Sequence, residues 1–292
     1  MTWKPNPWIA TLLSLVPTPL GMLYVRRPRL AALYLLAYGS VAAMFIVFGS
    51  GLGSASFGAA RASEGLFSLV CAVHTFTIAR RFEPIETRPW YTRWYGLIIF
   101  PVALFTIIFL FRSFLYEPFR VPSASMYPTI QKGSFVFVDK RGQPNQGTFG
   151  FHPFRFEPTA KISRTDMIVF RTPHDPEVTY LMRVIGVPGD RVIYRNHRLT
   201  LNDESVPISF GGTAGAYQLA TEIIDGHEVQ IALLPNRPSP ELDVVVPPDH
   251  YLVLGDSRDN ARDSRFVGFI PRENIVGRVA KIFQSGEEPT RY

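Results

Sequence analysis

Only one cysteine, Cys71, occurs in the 292 residues, so no disulfide can form within the chain and any exported portion must rely on its own core. Lysine is almost as scarce, with Lys4, Lys132, Lys140, Lys161 and Lys281 as the whole set. The six histidines fall in no metal-ligand spacing, and no glycine-rich phosphate loop is present. Neither a metal nor another cofactor is expected, and His74, inside an apolar run, reads as a packed side chain. Acidic residues are nearly missing from residues 1–115, which carry three Asp/Glu against ten Lys/Arg, a balance of +7. Residues 116–292 carry twenty-one against twenty, a balance of −1. The excess of positive charge therefore belongs to the first part of the chain, where it can orient a membrane segment. No basic-aromatic stripe accompanies it, which excludes nucleic acid as a partner.

What the first part does contain is apolar sequence. Four stretches stand out: Ile9–Val25, Leu30–Gly49, Gly65–Ala79 and Gly96–Tyr116. The last is the clearest bilayer-length run, with Arg112 near its end, where a long cation can reach water. The first is interrupted by Pro17 and Pro19, which leaves spanning, re-entrant and interfacial placements open. It does not read as a cleaved signal peptide, having little basic character beyond Lys4 and no small-residue cleavage site. Arg26, Arg27 and Arg29 form one basic cluster, and Arg80, Arg81, Arg88 and Arg93 another. Placing both in the cytoplasm puts residues 117–292 on the far side of a multi-pass inner-membrane protein. Trp90, Tyr91, Trp94 and Tyr95 then sit at an interface with the lipid bilayer.

From Glu117 the pattern changes to short strands between turns. Ser134–Asp139, Met167–Phe170, Thr179–Val187, Arg191–Tyr194, His250–Leu254 and Ile275–Ile282 read as strands, punctuated by Pro188-Gly189-Asp190, Pro235-Asn236 and Pro247-Pro248. The expected architecture is N-terminal transmembrane α-helices over 1–115, followed by a mainly antiparallel β exported domain over 116–292. Gly142–Ala160 reads as a polar, Gly/Pro-rich stretch, and residues 195–248 as an inserted, variable hairpin region.

Four segments carry chemistry. They are Tyr116-Glu-Pro-Phe-Arg-Val-Pro-Ser-Ala-Ser-Met-Tyr-Pro-Thr129, Asp166-Met-Ile-Val-Phe170, Tyr180-Leu-Met-Arg-Val-Ile-Gly-Val-Pro-Gly-Asp190 and Gly255-Asp-Ser-Arg-Asp-Asn-Ala-Arg-Asp-Ser-Arg265. In order and spacing, and in following an apolar run, they resemble the type I signal peptidases, a family of membrane-anchored serine endopeptidases. The resemblance covers roughly residues 96–292. It implies that Ser125 is the nucleophile and that its N–H and the Ser123 hydroxyl hold the oxyanion. It also implies that Phe119, Val121, Ile130, Tyr180 and Leu181 line shallow pockets for the small residues before the cut in a signal peptide of an exported preprotein. Plain core packing is the competing account of those five. Arg183, Asp263, Ser264 and Arg265 fall where the family keeps a supporting charged cluster, with Arg183 able to pair with Asp263.

One element of that resemblance is missing. In the family a neutral lysine, its pKa lowered by apolar surroundings, takes the serine proton. The matching position here is Met182, and the serine that would orient the lysine is Ala261. Thr165 stands where a glycine usually precedes Asp166. His174 could substitute as base only by folding back from its Pro-bounded turn, and an Asp263 paired with arginine would be a weak one. The expected function is removal of signal peptides from exported preproteins. The alternatives are a relative without catalysis that binds signal peptides or assists an active paralogue, a processing enzyme with another base, and a membrane-anchored β domain of only structural likeness.

Overall fold

The structure is a computed structural model that describes residues 2–15, 19–48, 53–149, 151–172 and 175–284. The side chains of 42–48, 53–61 and 175–177 are not described. The chain divides into two compact units, Met1–Ile108 and Phe109–Tyr292.

The first unit is helical. Helix α1 (Pro7–Leu15) and helix α2 (Leu20–Tyr24) replace the single segment expected over Ile9–Val25. At 1.5 Å per residue α1 is about 14 Å long, too short to cross a bilayer as a helix. Pro19 immediately precedes α2, where a residue without an N–H costs no helix bond, and Pro17 lies outside the described residues. Helix α3 (Pro28–Phe48) covers the second apolar stretch. Helix α4 (Gly53–Arg80) begins well before the expected Gly65. Helix α5 (Trp94–Phe114) ends before Tyr116, which belongs to a strand. Among the described residues, two helical segments are long and apolar enough to cross a membrane, Ala62–Arg80 and Trp94–Phe114. Inside this unit the Ser14 hydroxyl donates to Thr75 Oγ1 at 2.9 Å, and Trp3 and Ile85 pair their backbones. The Arg88 guanidinium lies 4.6 Å from the Trp3 ring.

The second unit is antiparallel β. In chain order its strands are β1 (Tyr116–Arg120), β2 (Phe135–Asp139), β3 (Asn145–Thr148), β4 (Phe151–Arg155), β5 (Met167–Thr172) and β6 (Asp175–Gly186). They continue as β7 (Arg191–Arg195), β8 (Arg198–Leu201), β9 (Glu204–Ser205), β10 (Ile208–Ala214), β11 (Tyr217–Ile224) and β12 (His227–Leu233). The last are β13 (Leu242–Val245), β14 (His250–Leu254), β15 (Ile270–Pro271) and β16 (Ile275–Phe283), with a one-turn helix α6 (Ser264–Val267) after β14. Seven of them form one sheet in the order β1-β2-β16-β5-β6-β14-β15. Its apolar side buries Met126, Ile130, Val136, Ile168, Phe170 and Met182. A second core, around Tyr194, Leu199, Ile231 and Leu252, lies under β7–β8 and the β10-β11-β12 sheet.

Two expectations are corrected. Gly142–Ala160 contains the β3–β4 hairpin, in which Phe151, Pro153 and Phe154 form a strand with an exposed face. A proline on this two-stranded edge removes no buried ladder bond. Residues 195–248 are also more than a hairpin, since they hold β8 to β13 distributed over two sheets.

Thr165 matters more than its sequence position suggests. Its φ is +70°, in the left-handed region where a β-branched side chain is strained, yet its N–H donates to the Val184 carbonyl at 2.8 Å. Its carbonyl accepts from Arg183 Nη1, also at 2.8 Å, so the strand pairing fixes the conformation. Thr165→Gly is expected to stabilise the domain by roughly 1–2 kcal/mol, the steric cost of that backbone region. Denaturant unfolding of the two proteins side by side measures it; a less stable glycine variant would contradict the strain.

Candidate active site

The serine segment leaves β1 as a series of tight turns. Val121 pairs its backbone with Ser134 and Gly133, Tyr127 N–H donates to the Ala124 carbonyl, and Ile130 N–H to the Met126 carbonyl. The Tyr127–Pro128 peptide is cis. Met126 and Ile130 are fully buried and anchor the turns in the core, while Ser125, just before Met126, is half-buried and Ser123 is exposed. Ser123 Oγ and Ser125 Oγ are 3.1 Å apart. The Ser125 carbonyl accepts from the Ser257 N–H at 3.0 Å, while the Ser125 N–H has no partner among the described residues. A free N–H beside a second hydroxyl is the donor pair that a developing oxyanion needs.

Beside Ser125 lies a groove of about 320 Å³, walled by Phe119, Val121, Val178, Tyr180, Leu181 and Met182, among others. Its exposed lining is overwhelmingly apolar, so the groove favours uncharged side chains over charged ones. Four of the five expected pocket residues, Phe119, Val121, Tyr180 and Leu181, are brought together there. Ile130 is not. It is fully buried with the β-sheet core and supports the groove from behind.

Strand β6 presents Met182 opposite Ile168 of β5, and Met182 is 3 % exposed. Gly255 shows what surrounds the methionine. A Cβ built there would lie 2.3 Å from Ala261 Cβ, 2.7 Å from the Ser125 carbonyl oxygen and 3.5 Å from Met182 Sδ. The four residues therefore converge, and only glycine fits between them. A thioether against a methyl is a satisfied contact without hydrogen bonds. Among the described residues no carboxylate, imidazole or amine makes a hydrogen bond to Ser125 Oγ, whose partner is Ser123. His174 lies outside the described residues. Lys140, although buried, follows the β2 end that pairs with Tyr116, about 13 Å of strand away from the Arg120 end that leads to Ser123.

The Gly255–Arg265 segment holds this arrangement by successive anchors. Arg183 does not pair with Asp263, as the sequence suggested. Its Nε and Nη2 reach the Asp256 carboxylate at 2.8 and 2.6 Å, because alternation along β6 turns Arg183 away from the Met182 face. Asp263 instead caps α6, accepting from the Arg265 backbone, and receives the Arg265 Nε at 2.8 Å and the Gly255 N–H at 3.1 Å. Ser264 Oγ accepts from the Val253 N–H. Ser257 holds the Ser125 carbonyl, Arg258 Nη1 donates to Glu222 at 2.7 Å, and Asp259 accepts from the Leu234 N–H at 2.7 Å. Asp256, Ser257, Arg258 and Glu222 escaped sequence reasoning. The density of charge in Gly255-Asp-Ser-Arg-Asp was the available signal for the first three.

A serine hydroxyl beside a second hydroxyl, a free backbone N–H and an apolar groove, on an antiparallel β scaffold, is an arrangement that can serve a serine hydrolase. The chain belongs to the family described as signal peptidase, peptidase S26, whose pattern matches residues 92–284. It is 38 % identical over 216 residues to a signal peptidase I of Pseudomonas fluorescens, covering 67 % of this chain and 73 % of that protein. It is 35 % identical over 216 residues to a signal peptidase I of Pseudomonas aeruginosa, with the same coverage. A signal peptidase I of Aquifex aeolicus is 29 % identical over 231 residues, covering 65 % and 85 %. A crystal structure of a signal peptidase I from Enterococcus faecalis is 24 % identical, covering 41 % of this chain and 97 % of that one, with a TM-score of 0.28.

Proposed function

We propose that this chain is a membrane-anchored serine endopeptidase of the signal peptidase I type, which removes signal peptides from exported preproteins. Ser125 attacks the scissile carbonyl, and the Ser125 N–H and the Ser123 hydroxyl receive the oxyanion. The residues just before the cut lie in the groove between β1 and β6. The observation that carries this reading is the unpartnered Ser125 N–H beside two hydroxyls at one end of an apolar groove. Helix α5 is followed directly by β1, and residues 117–292 lie on the non-cytoplasmic side. Arg183, Asp256, Asp263 and Arg265 are positioning residues, since an arginine held by carboxylates releases no proton.

A second reading has its own observation. Met182 Sδ and Ala261 Cβ occupy the place of the base and its orienting hydroxyl, so the same groove holds a signal peptide without turning it over at a peptidase rate. The experiment is to incubate the full chain in detergent with a preprotein ending its signal peptide in Ala-x-Ala. A photo-crosslinking residue sits at the variable position between the two alanines. Crosslinks to β1 and β6, lost when both alanines become bulky, are expected under either reading. Accumulation of mature protein that disappears in Ser125→Ala establishes the first. Crosslinking with no mature product establishes the second. Failure of both would remove the peptide from the site altogether.

A further inference from the structure

The chemistry at Ser125 leaves a group of cations unused where α5 enters the β domain. Glu117 accepts from Arg112 Nη2 and from Lys140 Nζ, both at 3.0 Å, and from the Thr148 hydroxyl. Lys140 is fully buried and also donates to the Gly147 carbonyl. Arg171 of β5 contacts His152 of β4, nitrogen to nitrogen. An arginine can only donate, so His152 Nε2 is the acceptor and Nδ1 carries the proton. That Nδ1 and the Arg171 Nε are both buried without a partner. Burial, followed by the charges of Arg171 and Lys140, pushes the His152 pKa down to about 4, so the ring adds no charge at neutral pH.

Charge does not balance here. Among the described side chains, Arg112, Lys140 and Arg171 share the single carboxylate of Glu117, an excess of two positive charges in a largely dry place. Burial and the two arginines lower the Lys140 pKa against the opposing pull of Glu117, which places all four groups within electrostatic reach. Leaving buried cations uncompensated is strongly unfavourable. A buried Arg171 Nε without a partner among the described residues, within this group of cations, points to an anion with several acceptor oxygens. The rim has a different character. Phe149, Phe151 and Phe156 are 64, 62 and 54 % exposed, and Phe154 is 40 % exposed. Phe114, at the end of α5, packs its ring 5.5 Å from that of Phe154.

We propose that the junction of α5 with the β3–β4 hairpin binds a phosphate-bearing anion among Arg112, Lys140, Arg171 and His152. Guanidinium forks match phosphate oxygens, and the neutral His152 adds an uncharged donor. A free phosphate ion and a glycerophospholipid headgroup share this chemistry. The exposed phenyl rings beside the site would meet the acyl carbons of the second, in keeping with α5 as a membrane helix.

The full chain, in nonionic detergent free of phosphate and without peptide, is titrated with inorganic phosphate and separately with dihexanoyl phosphatidylglycerol, followed by thermal shift and phosphorus NMR. Saturable binding of at least one probe is expected. Arg171→Gln and Lys140→Met should each weaken it about tenfold or more, the loss of a charged hydrogen bond. Arg141→Gln should not, because Arg141 is exposed and held by Asp139. Tighter binding of the lipid than of phosphate, reduced by Phe151→Ser, assigns the headgroup; equal binding unaffected by Phe151→Ser assigns the free ion. Absence of saturable binding in the unaltered chain overturns the site, and that measurement requires no variant to fold. Undiminished binding in both cation variants overturns it equally. Neither result depends on whether Ser125 cuts a peptide.

Discussion

The double variant Met182→Lys, Ala261→Ser is expected to cleave an Ala-x-Ala preprotein about 10²–10⁴-fold faster than the unaltered chain, the usual contribution of a positioned general base. Met182 is 3 % exposed, and its sulfur lies at the spot where Ala261 and the Ser125 carbonyl meet around Gly255. A lysine there would extend its amine from the same strand position into apolar surroundings. Desolvation disfavours the ammonium, so part of the population is neutral near pH 8 and able to accept the Ser125 proton. The hydroxyl at 261 gives the amine a fixed partner; without it, Met182→Lys alone buries an unpaired amine and should recover less activity and lose stability. Activity of the double variant should rise with pH through the lowered lysine pKa, because the basic form is the neutral one. Equal turnover by the unaltered chain and the double variant would mean that another group takes the proton. No turnover by a folded double variant would mean that the groove no longer aligns a peptide with Ser125. Ser125→Ala in the restored background must abolish the signal.

Much of this site was legible because unusual residue types recur at tight spacing. Ser123, Ser125, Tyr180, Met182 and Ala261 are separated by up to 138 positions in the chain, yet the resemblance of four short segments was enough to bring them together on paper. The partner of Arg183 was not legible. Asp256 and Asp263 lie in one segment, and pattern alone cannot say which of them faces the back of β6; the turns between them decide it. Between a groove role and core packing for Ile130 the pattern could not decide for a related reason, since an apolar residue beside a groove and one buried in the core look alike in sequence. The β3–β4 hairpin was hidden by Gly142, Pro144, Gly147 and Pro153, which read as loop until edge pairing shows that nothing is lost there. Glu222 was beyond reach altogether. It sits in the least motif-like part of the chain, and its role depends on a contact between β11 and the turn that holds Arg258.

That contact yields the second large effect. Arg258 and Glu222 each have side chains 1 % exposed and face each other through two nitrogen–oxygen pairs. The Arg258 guanidinium also lies 5.6 Å from the Tyr194 ring, and its Nε is buried without a partner. Glu222→Ala would leave a full positive charge in that interior, for which the expected loss is roughly 3–5 kcal/mol. Replacing both partners, as Glu222→Leu with Arg258→Met, should restore most of that loss, since apolar substitutes of similar volume need no partner. Denaturant unfolding of the two variants beside the unaltered chain measures the pattern. Arg258 directly follows Ser257, whose N–H holds the Ser125 carbonyl. Loosening residue 258 should therefore displace Ser125, and Glu222→Ala should lose peptide crosslinking at temperatures where most of the chain is still folded. If Glu222→Ala matches the unaltered chain in stability, the pair is not closed in solution. If the double replacement is as unstable as the single one, packing around Tyr194 rather than uncompensated charge sets the cost.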